Sequence, residues 1–228
     1  GYCQGNFNSD NCAAGGFTLD YGPFGFCEEF NPKFQPWTGG GVHFSFFNQL
    51  IAAEANYQMF WSALRPLLID NSEAVKRLDN IRDGFNTAMN KEMEKMWAMK
   101  LGLIIYDSSL VNEMLQLMFQ SKVDYTIFFR KLSNIPDKVT ELKESFYLAS
   151  SEQVEAKWTN WLQRWREHIK NRSSNSKEIS AELKHINPKY TWREWLIAPA
   201  YEKAEQGDYS LIRDLQAVLA NPYDEQSS

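Results

Sequence analysis

Two side chains that could bind a metal ion, Asn11 and Asp20, lie nine residues apart near the beginning of the chain. Between them is Gly15-Gly16, which predicts the two-residue turn of a β-hairpin because both central positions of a type I′ turn need φ > 0. Counting outward from this turn places Cys12 opposite Leu19. One position further from the turn, Asn11 faces Asp20.

This pairing would bring an amide oxygen and a carboxylate together, because directly opposed residues have Cβ atoms about 4.5–5.5 Å apart. Oxygen ligands of this kind suit Mg²⁺, which takes few protein ligands and completes its shell with phosphates and water. Mn²⁺ is the alternative ion. The residues therefore predict a divalent metal site formed by Asn11 and Asp20.

Two segments around this hairpin resemble the signature of the selenoprotein O family. Residues 5–11 read Gly-Asn-Phe-Asn-Ser-Asp-Asn, and residues 18–26 read Thr-Leu-Asp-Tyr-Gly-Pro-Phe-Gly-Phe. Further blocks that are similar to the family follow in the same order, at residues 99–103, 124–130, 187–193 and 221–226. The chain departs from the family at Gln4, where His is usual, and at Ala13 and Ala14, where bulkier aliphatic residues are usual.

The resemblance implies a kinase-like fold that transfers AMP, rather than phosphate, from ATP to Ser, Thr or Tyr hydroxyls of proteins. Asp20-Tyr21-Gly22 stands where a kinase has Asp-Phe-Gly, so Asn11 and Asp20 would hold the metal on the phosphates. Asp20 would thereby also bind the nucleotide.

Asp10 occupies the position of a candidate catalytic proton acceptor in this family. If a straight strand ran through Asp10, side-chain alternation would point it away from the metal, so this role requires a non-extended backbone. The alternative is a structural role in which Asp10 accepts hydrogen bonds from N–H groups of the loop.

The sequence contains no Gly-rich loop, strand lysine or partner glutamate that could bind the rest of the nucleotide. The family carries these groups upstream, so we interpret the chain as the carboxyl-terminal half of a longer enzyme and expect this portion alone to be inactive. One alternative is a non-catalytic kinase-like module that binds a partner through its helical surface. A protein phosphotransferase is the less favoured alternative.

Composition limits the partners. The net charge of −5 over 228 residues argues against non-specific nucleic-acid binding, and no apolar run approaches the roughly 20 residues of a membrane span. The three cysteines do not have zinc-site spacing, and their odd number favours reduced thiols in an intracellular protein. The resemblance to the family implies that the protein is located in mitochondria if it is eukaryotic and in the cytoplasm if it is bacterial. Cys12 is interpreted as a small buried side chain.

The predicted fold class is mainly α. We expect a kinase-like carboxyl lobe with a short β-hairpin at the active site and a helical carboxyl-terminal extension, without an amino lobe. The predicted regions are a catalytic loop, metal-binding hairpin and activation-segment-like loop over 1–42, a helical lobe over 43–170 and the helical extension over 171–228.

Hydrophobic periodicity predicts the individual helices. Residues 43–64 form one helix that ends before Pro66, and a long amphipathic pattern covers 73–100. Residues 152–170 form a tryptophan-rich helix, whereas the polar residues 171–178 are expected to form a loop. Shorter helices are predicted over 125–133, about 138–149, 191–204 and 209–220.

Overall fold

A computed structural model describes residues 1–148 and 151–226, and these are mainly helical. Two short strands, β1 (Tyr2–Cys3) and β2 (Gly25–Phe26), form a two-stranded sheet. The helices are α1 (Gln49–Leu64), α2 (Ser72–Asp83), α3 (Phe85–Leu101), α4 (Ser108–Gln120), α5 (Tyr125–Leu132), α6 (Glu152–Lys170), α7 (Ser176–Ile186), α8 (Glu194–Glu205) and α9 (Ser210–Ala220). None of the described helices has the length and apolar character needed to cross a membrane. The kinase-like lobe and the missing amino lobe stay predictions.

Most helices lie where the periodicity predicted them. Helix α6 coincides with the predicted range 152–170. Helix α1 ends at Leu64, just before the 3₁₀ turn that contains Pro66, but it begins at Gln49 rather than at residue 43, because Val42–Phe44 and Phe46–Asn48 form 3₁₀ turns. The pattern over 73–100 is interrupted at Gly84, so it forms α2 and α3. This break agrees with the cost of glycine in a helix interior, about 1 kcal/mol relative to alanine.

Two local predictions need correction. The polar stretch 171–178 is not a loop throughout, because α7 begins at Ser176. Asn175 caps this helix by accepting hydrogen bonds from the N–H groups of Lys177 and Glu178, a start signal that we did not recognise. The helix predicted over about 138–149 is a 3₁₀ helix, Val139–Ser145, and residue 149 lies outside the described residues.

The chain divides into two compact units. We call the unit of Tyr2–Gly25 and Pro32–Glu94 the hairpin unit. The unit of Gly1, Phe26–Asn31 and the described part of Lys95–Ser228 is the tryptophan unit. The predicted ranges 1–42, 43–170 and 171–228 stay a prediction.

Three tryptophans of α6 form the centre of the tryptophan unit. Trp158, Trp161 and Trp165 share one face of the helix and are completely buried. Each indole N–H donates a hydrogen bond of 2.9 Å, to Ser121 Oγ and to the backbone oxygens of Leu110 and Leu101 respectively. These bonds satisfy the polar atoms that would otherwise oppose burial of such large side chains.

A buried carboxylate, Asp124, joins distant parts of the same unit. It is fully buried and caps α5 by accepting the N–H of Ile127 at 2.8 Å. Arg193 donates to both of its oxygens, at 2.7 and 2.9 Å. The hydroxyl of Tyr147 donates to Asp124 (2.8 Å) and to Glu28 (2.9 Å), and Arg193 also lies 3.3 Å from Glu28. Burial and the two carboxylates raise the pKa of Tyr147, so its hydroxyl keeps this proton.

A second network surrounds Arg130 on α5. Arg130 donates to the backbone oxygens of Lys184 and Asn187, both at 3.1 Å, and to that of Tyr223 at 3.0 Å. It also forms an ion pair of 2.6 Å with Glu225. The network thereby connects α5 to the end of α7 and to the last described residues.

Lys100 meets this second network through Asn187. Its amine donates to Asn187 Oδ1 at 3.0 Å, and Asn187 Nδ2 donates back to the Lys100 carbonyl at 2.9 Å. The amine also lies 4.2 Å from the ring centre of Phe129. No carboxylate is paired with it among the described residues, and burial lowers the pKa of Lys100 to about 8.

Replacing Arg193 should be costly, because it would leave the Asp124 carboxylate buried without its main counter-charge. We expect Arg193→Met to lower the free energy of unfolding, measured in urea, by about 3–5 kcal/mol. Adding Asp124→Asn should restore part of this loss. The exposed Arg213→Met is the control and should change stability by less than about 0.5 kcal/mol. Equal losses of stability from the two arginine substitutions would contradict the role of Arg193 as the counter-charge of Asp124.

The shifted pKa of Lys100 predicts a pH dependence of stability. The pKa is about 8 in the folded chain and about 10.4 in an unfolded chain. Between these pH values the unfolded chain binds more protons, so this lysine makes stability rise with pH. Urea unfolding at increasing pH should show that Lys100→Met lacks this rise, whereas the exposed control Lys157→Met retains it. If the stability of Lys100→Met rose with pH by the same amount, the lowered pKa of Lys100 would be refuted.

Candidate functional site

The loop that carries Asp10 and Asn11 forms a single 3₁₀ turn. This turn covers Ser9–Asn11, and the N–H of Asn11 donates to the carbonyl of Asn8 at 3.0 Å. The backbone is therefore not extended at Asp10, as a catalytic role for this residue requires. Asp10 is exposed, and its catalytic and structural roles both stay predictions.

The register of the hairpin differs from the prediction by one residue. Cys12 pairs with Thr18 rather than with Leu19. The N–H of Gly16 donates to the Ala13 carbonyl at 3.1 Å, and of the two central glycines only Gly16 has positive φ, at +77°. The type I′ turn is therefore wrong, since it needs positive φ at both positions. The observed bridge therefore shifts Asp20 away from its predicted place opposite Asn11.

Asn11 and Asp20 each retain an oxygen without a hydrogen-bond partner within the described part of the chain. Asn11 donates through Nδ2 to the carbonyl of Asn6 at 3.1 Å, and this bond directs its amide. Asp20 accepts the N–H of Gly22 through Oδ1 at 2.7 Å, and its Oδ2 makes no such bond. The two remaining atoms, Asn11 Oδ1 and Asp20 Oδ2, have the hard-oxygen chemistry that Mg²⁺ requires.

The residue types fit a magnesium ion that is shared with phosphates, but the observed register does not place Asp20 directly opposite Asn11 as the prediction requires. Within residues 1–148 and 151–226, no cluster of three or more His, Cys, Asp or Glu side chains could hold a metal by itself. Two protein oxygens are nevertheless enough for Mg²⁺ when a nucleotide supplies further ligands. The metal roles of Asn11 and Asp20 stay a prediction.

Three amide side chains that sequence reasoning missed position this loop. Gln4 is buried and donates through Nε2 to the backbone carbonyl of Asp20. Gln49 at the start of α1 accepts the N–H of Gln4 at 3.0 Å. Asn56, which is buried in α1, donates to the carbonyl of Phe7 at 2.9 Å. The sequence offered two signals, the departure from the family at Gln4 and the polar pair Gln49 and Asn56 at a spacing that shares one helix face.

Gly5 permits a close approach of two parts of the site. Its φ is +77°, and a Cβ atom at this position would lie 2.2 Å from the Pro23 carbonyl oxygen. Only glycine combines this left-handed conformation with such contact. The chain entering the Asp10 turn is thereby held against the segment that follows Asp20.

Two neighbouring cavities adjoin the Asp10 turn within the hairpin unit. One, of about 420 Å³, is lined by Gln4, Asn11 and Cys12 among others. The other, of about 450 Å³, is lined by Ser9, Cys12 and apolar residues of α1 and α3. Cys12 is exposed, so its interpretation as a buried side chain is wrong.

Comparison with known proteins identifies relatives over nearly the whole sequence. The family model described as Protein adenylyltransferase SelO matches residues 1–220. A protein from Aromatoleum aromaticum named Protein nucleotidyltransferase YdiU is 32% identical over 99% of the chain and 44% of its own length. Proteins of the same name from Tolumonas auensis and Xanthomonas euvesicatoria are also 32% identical, over 100% and 99% of the chain. The chain spans 45% of each of these two relatives, less than half of their length.

The contact between Gly5 and Pro23 gives a direct test of the loop geometry. Gly5→Ala and Gly16→Ala both place a Cβ at φ +77°, but nothing lies within 4 Å of the added atom at Gly16. We expect Gly16→Ala to cost about 1 kcal/mol of unfolding free energy. Gly5→Ala should cost a further ~1–3 kcal/mol because of the clash. Equal losses in urea unfolding would show that the close approach is absent.

Proposed function

We propose that this chain, which belongs to the protein adenylyltransferase SelO family, is the metal-binding portion of an enzyme that transfers AMP from ATP to protein hydroxyls. The acceptors are Ser, Thr or Tyr side chains. The observation that carries this proposal is the match of residues 1–220 to the family model, and Asn11 and Asp20, on the two arms of one hairpin, would supply the amide and carboxylate oxygens for the metal. The nucleotidyltransferase names of the relatives agree with it.

In the proposed reaction, the acceptor hydroxyl oxygen forms a bond to the α-phosphorus of ATP. The bond between the α-phosphorus and the oxygen that bridges to the β-phosphate breaks, and pyrophosphate leaves. The hydroxyl proton passes to the Asp10 carboxylate, which is exposed on its 3₁₀ turn and therefore accessible to a substrate.

The other residues of the site hold and orient the reactants. Mg²⁺, when bound, supplies positive charge at the phosphate oxygens. Asn11 would bind it through Oδ1, in an orientation set by the Nδ2 bond to Asn6. Asp20 would bind it through Oδ2, while its backbone is held by Gln4. Pre-oriented ligands of this kind reduce the reorganisation that accompanies charge development.

The remaining nucleotide contacts are proposed to come from a part of the enzyme that corresponds to the region of the relatives outside the alignment with this chain. We call the longer protein that this proposal requires the full-length parent. The chain alone is therefore expected to be inactive. A non-catalytic binding module is the second candidate, and the exposed apolar side chains of the hairpin unit, such as Met59 and Phe60, favour it.

Which phosphate of ATP is transferred to the acceptor protein distinguishes these functions experimentally. The full-length parent, incubated with acceptor protein and Mg²⁺, should transfer label from α-labelled ATP and none from γ-labelled ATP. We expect Asp20→Asn or Asp10→Asn to slow transfer at least ~100-fold. Asp70→Asn, an exposed aspartate of the hairpin unit, is the matched control and should leave the rate unchanged.

Each other outcome contradicts the proposal in a different way. Label from γ-labelled ATP alone would identify a phosphotransferase. The absence of transfer from both nucleotides, in a parent that is folded by circular dichroism, would favour the binding module. Full activity of Asp20→Asn would contradict the proposal that Asp20 binds the metal.

A further inference from the structure

The side chain of Gln4 joins Tyr2 to Asp20 within the hairpin unit. Gln4 is only 6% exposed, and its Nε2 donates a hydrogen bond to the backbone carbonyl of Asp20. On the other side of the same amide, the hydroxyl of Tyr2 donates to Gln4 Oε1. Two hydrogen bonds in series therefore connect the Tyr2 hydroxyl to the backbone of Asp20.

These two bonds determine which way the Gln4 amide faces. A backbone carbonyl can only accept, so the nitrogen of the amide faces Asp20 and its oxygen faces Tyr2. Tyr2 must then be the donor, and burial raises the pKa of its hydroxyl, which therefore keeps its proton. Without this hydroxyl, Gln4 Oε1 would lose a donor in a buried position, and the observed orientation of the amide would be less favourable.

The backbone and the ring of Tyr2 are themselves held in place. Gln49, the first residue of α1, donates to the carbonyl of Tyr2 at 3.1 Å and accepts the N–H of Gln4 at 3.0 Å. The Tyr2 ring packs against Phe24, with 5.9 Å between the two ring centres. Tyr2 is therefore a fixed point from which the Gln4 amide can be oriented.

At the other end of the series, the position of the Asp20 carboxylate depends on the Asp20 backbone. Asp20 is exposed, so packing does not hold its side chain. Its Oδ1 accepts the N–H of Gly22 at 2.7 Å, a local bond that fixes the carboxylate relative to the adjoining backbone. The bond from Gln4 to the Asp20 carbonyl then fixes that backbone relative to the rest of the hairpin unit.

We propose that Tyr2 is a positioning residue for Asp20 and that it acts through Gln4. The proposal rests on the proposed function, in which the Asp20 carboxylate binds the metal. The Tyr2 hydroxyl orients the Gln4 amide, the amide restrains the Asp20 backbone, and the carboxylate is thereby in place before the metal arrives. Such pre-orientation strengthens binding, because less conformational freedom is lost when the ion binds.

A double-mutant cycle distinguishes this series from two independent structural contacts. Tyr2→Phe removes only the hydroxyl, and Gln4→Met removes the amide but keeps a side chain of similar length. The dissociation constant of Mn²⁺ would be measured by electron paramagnetic resonance in the full-length parent. The nucleotide is an ATP analogue with a methylene group between the α- and β-phosphates, so that no transfer occurs.

We expect each single change to raise the dissociation constant of Mn²⁺ about tenfold, because a buried hydrogen-bond partner is lost. The double variant should bind Mn²⁺ no more weakly than Gln4→Met alone, since the hydroxyl has nothing to orient once the amide is gone. Tyr201→Phe, which changes an exposed tyrosine of α8, is the control and should leave the dissociation constant unchanged.

Amide exchange, measured by NMR in the chain alone, follows the same series without metal or nucleotide. The N–H of Gly22 reports the position of Asp20, because it donates to the Asp20 carboxylate. Tyr2→Phe should make this N–H exchange about threefold faster, and the double variant should match Gln4→Met. Circular dichroism of each variant checks that it is folded.

Losses that add up in the double variant would overturn the proposal, because Tyr2 and Gln4 would then act independently. Unchanged exchange of the Gly22 N–H in Tyr2→Phe would also overturn it. Asp20→Asn separates a failure of the proposed function from a failure of the positioning role. If Asp20→Asn binds Mn²⁺ as tightly as the unchanged protein, the metal role of Asp20 is refuted, and the exchange at Gly22 still decides whether Tyr2 positions Asp20.

Discussion

The tryptophan unit depends on the neutralisation of one buried carboxylate. Asp124 caps the start of α5, and both Arg193 and Tyr147 donate hydrogen bonds to its carboxylate. A buried charge without such partners would cost several kcal/mol. Glu28 joins the group, and the backbone of its segment pairs with that of Asp124, since the N–H of Tyr125 donates to the Glu28 carbonyl at 2.8 Å. Electrostatic satisfaction of Asp124 thus holds together four separate parts of the sequence.

The hairpin unit is organised differently. Its loops are held by side-chain amides that bond to backbone groups, chiefly through Gln4, Gln49 and Asn56. Such bonds orient the Asp10 turn but bury little apolar surface, and each contributes only about 1 kcal/mol net. The apolar side chains of α1 therefore remain on the surface. A site built in this way gains precision from its hydrogen bonds.

The resemblance to the family has two physical origins. Around residues 10–20 it lies in the residues that we propose bind the metal and the nucleotide. In the downstream blocks it follows from folding, because Lys100, Asp124 and Arg130 are all members of the polar networks of the tryptophan unit. Those blocks identify ancestry strongly, but they carry no direct information on the reaction. The evidence for chemistry rests on the short loop alone.

The sequence by itself determined the helical class and the ends of α6, because periodicity and local motifs are encoded in neighbouring residues. The tertiary structure alone decided the register of the hairpin. Either central glycine could have adopted positive φ, and the choice of Gly16 shifts Asp20 from its predicted partner. It also decided the pairing of Asp124 with Arg193, 69 residues away. Partners at that separation leave no periodic signal, and only the packing of the helices brings them together.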